Sequence, residues 1–136
     1  MTFLLDTNII VFWIKGRYNL AEKITEVGLH NCYISEVTVA ELRFGVECSP
    51  PELLHEKRLR LENLLSRLQI LPFSVALERY AQEKARLRKN GEIIPDFDLL
   101  IGATATSMGM KMVTNNAKHL SRIHQIDIED WTITTE

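Results

Sequence analysis

FLLDTNIIV, residues 3–11, decides how the rest of the chain reads. Phe3, Leu4 and Leu5 are apolar without alternation, the mark of a short strand buried on both faces. Asp6 follows at once. From Thr7 to Ile14 the chain turns helical, with Gly16 as a natural stop. A strand that meets an acid and passes straight into a helix begins a β–α unit. Packing gives no reason for a carboxylate there, and the structural alternative is that Asp6 simply caps the helix.

Outward from this stretch the pattern recurs. Asn19 can cap a second helix that runs to Val27, before Gly28. Residues 32–34 form the next buried strand, and Ser35 can cap a helix continuing through residues 38–47. Pro50 and Pro51 break the chain, and Pro51 suits the first turn of a long helix over residues 52–69. A third strand follows over 70–73. Ser74 caps a helix to about Asn90, ended by Gly91. Pro95 opens a helix from Asp96 to Met108, closed by Gly109. A strand over 111–114, a loop or short helix over 115–121 and a strand over 126–128 complete the chain. Strands alternating with helices predict a three-layer α/β/α sandwich on a short, mainly parallel central sheet. In such sheets, sites form at the carboxyl ends of the strands.

The chain has 136 residues, enough for one domain over residues 1–136. Hydrophobic residues make up 46% and charged residues 25%, which excludes disorder by composition. No apolar run reaches the length needed to span a bilayer, so no membrane role is expected. The opening MTFLLDTNII lacks a basic segment and is interrupted by Asp6, so it does not read as a signal peptide, and the expected location is the cytoplasm. Cys32 and Cys48 have no zinc-ligand spacing and read as reduced, buried thiols.

Four acids stand out. Asp6 ends the first strand. Glu41 lies among apolar neighbours in the helix after Ser35, where an isolated charge is costly; the alternative is a solvated helix face. Asp96 and Asp98 open an apolar, small-residue helix, where the helix dipole alone would favour acids. Asn116 leaves the fourth strand at the same sheet edge and can supply a neutral oxygen ligand. Carboxylates about 4 Å apart repel by roughly 4 kcal/mol near a protein surface, so they converge only around protons or cations. Oxygen donors without His or Cys select Mg²⁺ or Mn²⁺, ions suited to phosphodiester hydrolysis. The net charge is −2; without these four acids, 16 bases face 14 acids, a surface that tolerates a polyanion. The run 84–89 holds four cations, and Arg86, Arg88 and Lys89 are candidate RNA phosphate contacts, against the alternative of a solvated helix face.

Four segments in order, FLLDTNIIV, YISEVTVAELRFGV, PDFDLLIGATATSMG and MVTNNAKHL, resemble the PIN-domain family, and within it the VapC-type toxins of bacterial toxin–antitoxin pairs. Trp131 stands where many such proteins carry an apolar-x-x-Trp signature. The resemblance covers nearly the whole chain. It implies an α/β/α sandwich, an acidic metal site, cleavage of single-stranded RNA, a small VapB-like antitoxin partner and frequent homodimers. By position it gives Asp6, Glu41 and Asp98 the catalytic and metal-binding places, with Asp96 as an accessory acid. The family's fourth acid falls at Asn116, which removes one charge from any second metal position. Thr7 and Asn8 complete the D-T-N start, and with Ser35, Thr38 and Asn116 they are expected to support the acids from behind. His119 takes a place where an acid often occurs and is given no catalytic part.

The reading is thus a Mg²⁺- or Mn²⁺-dependent endoribonuclease toxin. The alternative is a PIN-fold interaction protein with a weak or silent site. An aspartyl-phosphate phosphatase would want a second aspartate where Asn8 stands, and no P-loop segment exists. Leu53, Leu54, Leu61, Leu64, Leu65 and Leu68, with Phe44 and Val46 before them, are expected to form either an apolar clip for an antitoxin segment or simply core or a dimer interface.

Overall fold

The computed structural model describes residues 1–133. Five strands form one sheet: β1 (Phe3–Leu5), β2 (Cys32–Ser35), β3 (Gln69–Leu71), β4 (Lys111–Val113) and β5 (Ile128–Glu129). Their order is β3-β2-β1-β4-β5, and every pairing is parallel. The helices are α1 (Thr7–Ile14), α2 (Leu20–Val27), α3 (Glu36–Glu47), α4 (Pro51–Leu65), α5 (Leu77–Lys89), α6 (Asp96–Met108) and α7 (Ala117–Leu120).

The period of two along a strand divides the core. Phe3 and Leu5 face one layer, packed with Ile10, Ile24, Leu42 and Leu64 from α1–α4. Leu4 faces the other, with Leu87, Leu99 and Ile101 from α5 and α6. Val113 and Met112 divide the same way on β4. β1 is fully enclosed because β2 and β4 flank it and helices cover both faces. Gly102 lets α6 approach closely, since a Cβ there would run into Ile123.

The α/β/α sandwich expected from the alternation is present. Two boundaries moved. α4 ends at Leu65, not near residue 69, because residues 66–68 tighten into a turn and 69–71 pair with β2. Leucine spacing hides this end, since Leu68 continues the periodicity through the turn and is itself buried. Ser74 does not cap a helix. Phe73–Ala76 forms a one-turn 3₁₀ segment whose first N–H is taken by Glu36, and α5 starts only at Leu77. Asn19 sits in the left-handed region with no side-chain cap bond. Of the two cysteines, Cys32 is buried but Cys48 is exposed, because it follows α3 at the surface. No helix among the described residues is long and apolar enough to cross a membrane.

Chain order leaves β1 in both directions: β2 and β3 lie to one side, β4 and β5 to the other. The loops after β1 and β4 therefore part, and a crevice opens at their carboxyl ends, the usual ligand position in such sheets.

Candidate active site

Asp6 and the residues after β4 stand at that crevice. Asp6 is only 4% exposed. Its Oδ1 accepts the Thr7 backbone N–H at 2.8 Å, so it does cap α1. Its Oδ2 accepts from Thr114 Oγ1 at 2.8 Å and from Asn8 Nδ2 at 3.3 Å. Thr114 Oγ1 also accepts the Asn116 N–H at 2.9 Å, fastening the loop after β4 to the loop after β1. Asn8 Oδ1 accepts the Asn115 N–H at 3.4 Å.

Glu41 reaches the same place from α3. Ser35, fully buried, caps that helix by accepting the Val37 N–H at 3.0 Å. One turn on, Thr38 lies buried with its hydroxyl 3.1 Å from that of Thr7, and the Thr7 hydroxyl donates to Glu41 Oε1 at 2.6 Å. Asp98 comes from the first turn of α6, half-buried. Asp6, Glu41 and Asp98 line one open depression of ≈ 490 Å³ together with Thr7, Asn8 and Asn116.

Among the described residues, no cation lines this depression. Burial pushes the Asp6 carboxyl up to about 6, against the pull of the Thr114 and Thr7 hydrogen bonds, and the negative charges of Asp98 and Glu41 push the same way. Burial also raises Asp98, partly offset by the charge of His119 on α7. Among the described residues, no three His, Cys, Asp or Glu side chains are drawn tightly enough together to grip an ion on their own. The donor chemistry nonetheless fits a hard divalent cation: three carboxylates and amide oxygens, no sulfur or imidazole in the lining, and an acid that burial, with two neighbouring carboxylates, holds above its ordinary range.

Two expectations do not hold in the geometry. Asp96 does not line the depression. Its Oδ1 is engaged by Lys84 Nζ and Tyr80 Oη, both at 2.8 Å, because residues two apart on a helix project in different directions. Arg86 is not free for phosphate. Its guanidinium makes two bonds to the buried Glu83, at 2.8 and 3.0 Å, and one to the Arg122 carbonyl at 2.7 Å. Arg88 and Lys89 are exposed, away from the depression's lining. The expected apolar clip also changes: Leu61, Leu64, Leu65 and Leu68 belong to the core, leaving Phe44, Leu53 and Leu59 exposed. Thr114 went unread in the sequence; its signal was a hydroxyl immediately after β4, the position Asp6 occupies after β1.

The PIN-domain family model matches residues 3–125. The chain is 35% identical to ribonuclease VapC2 of Rickettsia felis, over 96% of this chain and 98% of that one. It is 34% identical to the tRNA(fMet)-specific endonuclease VapC of Salmonella typhimurium, with the same coverage of 96% and 98%. A crystal structure of DNA-bound VapBC from Salmonella typhimurium superposes with a TM-score of 0.87 at 32% identity, over 96% of this chain and 98% of that one.

Proposed function

The chain belongs to the PIN-domain family, among its VapC-type ribonucleases, and from that premise we propose the function and the residues that perform it. It is the toxin of a VapBC-type toxin–antitoxin pair, an endoribonuclease that hydrolyses RNA phosphodiester bonds in the cytoplasm. It acts as one nuclease domain, as a homodimer, and is held in check by a small VapB-like antitoxin. Nucleases of this family depend on a divalent metal; here the ion is Mg²⁺ or Mn²⁺, held by Asp6, Asp98 and Glu41. The observation that supports this reading most is Asp6 itself: a buried carboxylate at the sheet's switch point, facing two more acids with no cation in between.

When bound, such an ion supplies an activated nucleophile and neutralises charge on the phosphate. The chain's own residues prepare for it. Thr114, Asn8 and the Thr7 N–H fix both oxygens of Asp6, so its orientation is set before anything binds. Thr7 holds one oxygen of Glu41 and, through Thr38, ties α1 to α3. Asn116 offers a neutral amide in the lining where a fourth charge would otherwise stand. Asp6, with its proton lost near pH 6, is ionised at neutral pH and ready to bind a cation.

The test is cleavage of RNA by the full chain in Mg²⁺, in Mn²⁺ and in EDTA, with initiator tRNA as the first substrate because one relative is specific for tRNA(fMet). Cleavage in both metals and none in EDTA is expected. Cleavage that persists in EDTA, or is retained in full by Asp6→Asn, would overturn the assignment.

A further inference from the structure

The acidic depression does not close at Glu41. Thr7, Val11 and Glu41 also line a larger groove of ≈ 610 Å³ between α1, α3 and α4. Four cations line this groove: Lys15, Lys57, Arg60 and Arg67. Among the described residues its one carboxylate is Glu41, at the junction with the depression. Much of the remaining lining is apolar, including Trp13, Ile14 and Val46. In a chain of net charge −2, this is a local reversal of sign.

The cations are available. Lys15, Lys57 and Arg67 make no ion pair among the described residues. Arg60 has only an exposed partner, Glu56 at 2.6 Å on its own helix, a pair that water and salt weaken readily. The α5 run differs, since Lys84 is paired with Asp96 and Arg86 with buried Glu83. Cations that can follow a phosphate backbone, beside an indole and aliphatic surface that can receive bases, are what holds single-stranded nucleic acid. An apolar peptide would use the floor of this groove and leave its four positive charges unanswered.

We propose that this groove is the track that leads single-stranded RNA to the acids, with Lys57, Arg60 and Arg67 as its phosphate contacts. The proposal rests on the ribonuclease reading and adds the route to it. The strand enters along α4, passes Trp13, and reaches Asp6 and Asp98 over Thr7 and Glu41.

The experiment measures binding of a fluorescein-labelled single-stranded RNA by the full chain in EDTA, by anisotropy across a salt series. Lys57→Gln, Arg60→Gln and Arg67→Gln lie on exposed positions of α4 and the turn after it, so folding is spared. Each should lower the salt slope by about 0.7 and the affinity about fivefold at 0.1 M salt, and the triple variant about a hundredfold. In Mg²⁺ the triple variant should raise KM and leave kcat unchanged. Arg88→Gln with Lys89→Gln should leave the slope as it is. An unchanged slope in the triple variant overturns the track, and so does a slope lost instead in the α5 double variant. The track also falls if the triple variant loses a co-expressed antitoxin but keeps RNA, because the groove is then a partner's surface. If the wild type cleaves RNA while the triple variant keeps its KM, only the track is wrong. A wild type that neither binds nor cleaves RNA removes both readings.

Discussion

Asp96 and Asp98 stand two residues apart in the first turn of α6, yet their surroundings are opposite. Asp96 is exposed, and hydrogen bonds from Lys84 and Tyr80 hold its carboxyl below the usual range. Asp98 is half-buried in the lining of the acidic depression, and burial raises it. Both acids suit a helix N-terminus, so dipole chemistry does not separate them. What separates them is what α6 packs against: α5 offers Lys84 and Tyr80 to one side of the turn, and the crevice between β1 and β4 lies on the other. One acid is neutralised within the chain; on the proposed function, the other waits for a charge from outside it.

The largest expected effect breaks this pair apart directly. Asp98→Asn should lower RNA cleavage by about a hundredfold or more, beyond the usual cost of losing a residue that merely supports a metal ligand. Asp96→Asn should leave cleavage close to wild type. Rates at saturating RNA and several Mg²⁺ concentrations measure both. Equal losses in the two variants would mean that the depression extends to Asp96 in the working enzyme.

A second prediction sharpens what it means for an acid to wait. Asp6 has an ordinary value near 3.8 and a folded value of about 6. The folded state therefore holds this proton more tightly than the unfolded state. The resulting stability is fully present below pH 4 and is lost as pH rises through 6. The amount is about 3 kcal/mol, to order of magnitude. In EDTA, the difference in melting temperature between Asp6→Asn and wild type should grow in favour of the variant from pH 4 to pH 7. Millimolar Mg²⁺ or Mn²⁺ at pH 7 should raise the wild type and not the variant, since only the ionised carboxylate gains from the cation. Melting curves that stay parallel across this range would show that the fold does not raise the Asp6 carboxyl.

Much of this was legible in the residues. Apolar triplets each followed by a polar residue marked β1 and β2, and the apolar pair Met112–Val113 before Thr114 marked β4, because a strand covered on both faces leaves little other pattern. Asp6 was visible for the same reason, as a charge where such a strand ends. The side of a helix was not legible. Asp96 and Asp98 look alike in sequence, and only the position of α5 tells them apart. Arg86 was misread because Glu83, three residues earlier, looks like any solvated acid until the chain around His124 buries it. The groove cations escaped for the complementary reason. Lys15 belongs to the end of α1, whereas Lys57, Arg60 and Arg67 belong to α4 and its turn, and no window of sequence joins them.

The smallest effect tests the same contrast on the basic residues. Glu83 is buried, accepts two bonds from Arg86 and also takes the backbone N–H of His124, so it fastens α5 to the chain before β5. Glutamine at position 86 cannot supply the paired N–H groups or the charge. Arg86→Gln should therefore cost about 1–3 kcal/mol, the price of a buried acceptor left short of its donors. That is a fall of several degrees in melting temperature. Arg88→Gln, exposed on the same helix, should stay within about 0.5 kcal/mol of wild type. Neither should change the salt slope of RNA binding, whereas the Arg67 variant should. Thermal melts and the anisotropy series on one set of samples measure both quantities. If Arg86→Gln melts like wild type but flattens the salt slope, then α5 rather than α4 presents the phosphate contacts, and the Glu83 pair is a surface contact of no structural weight.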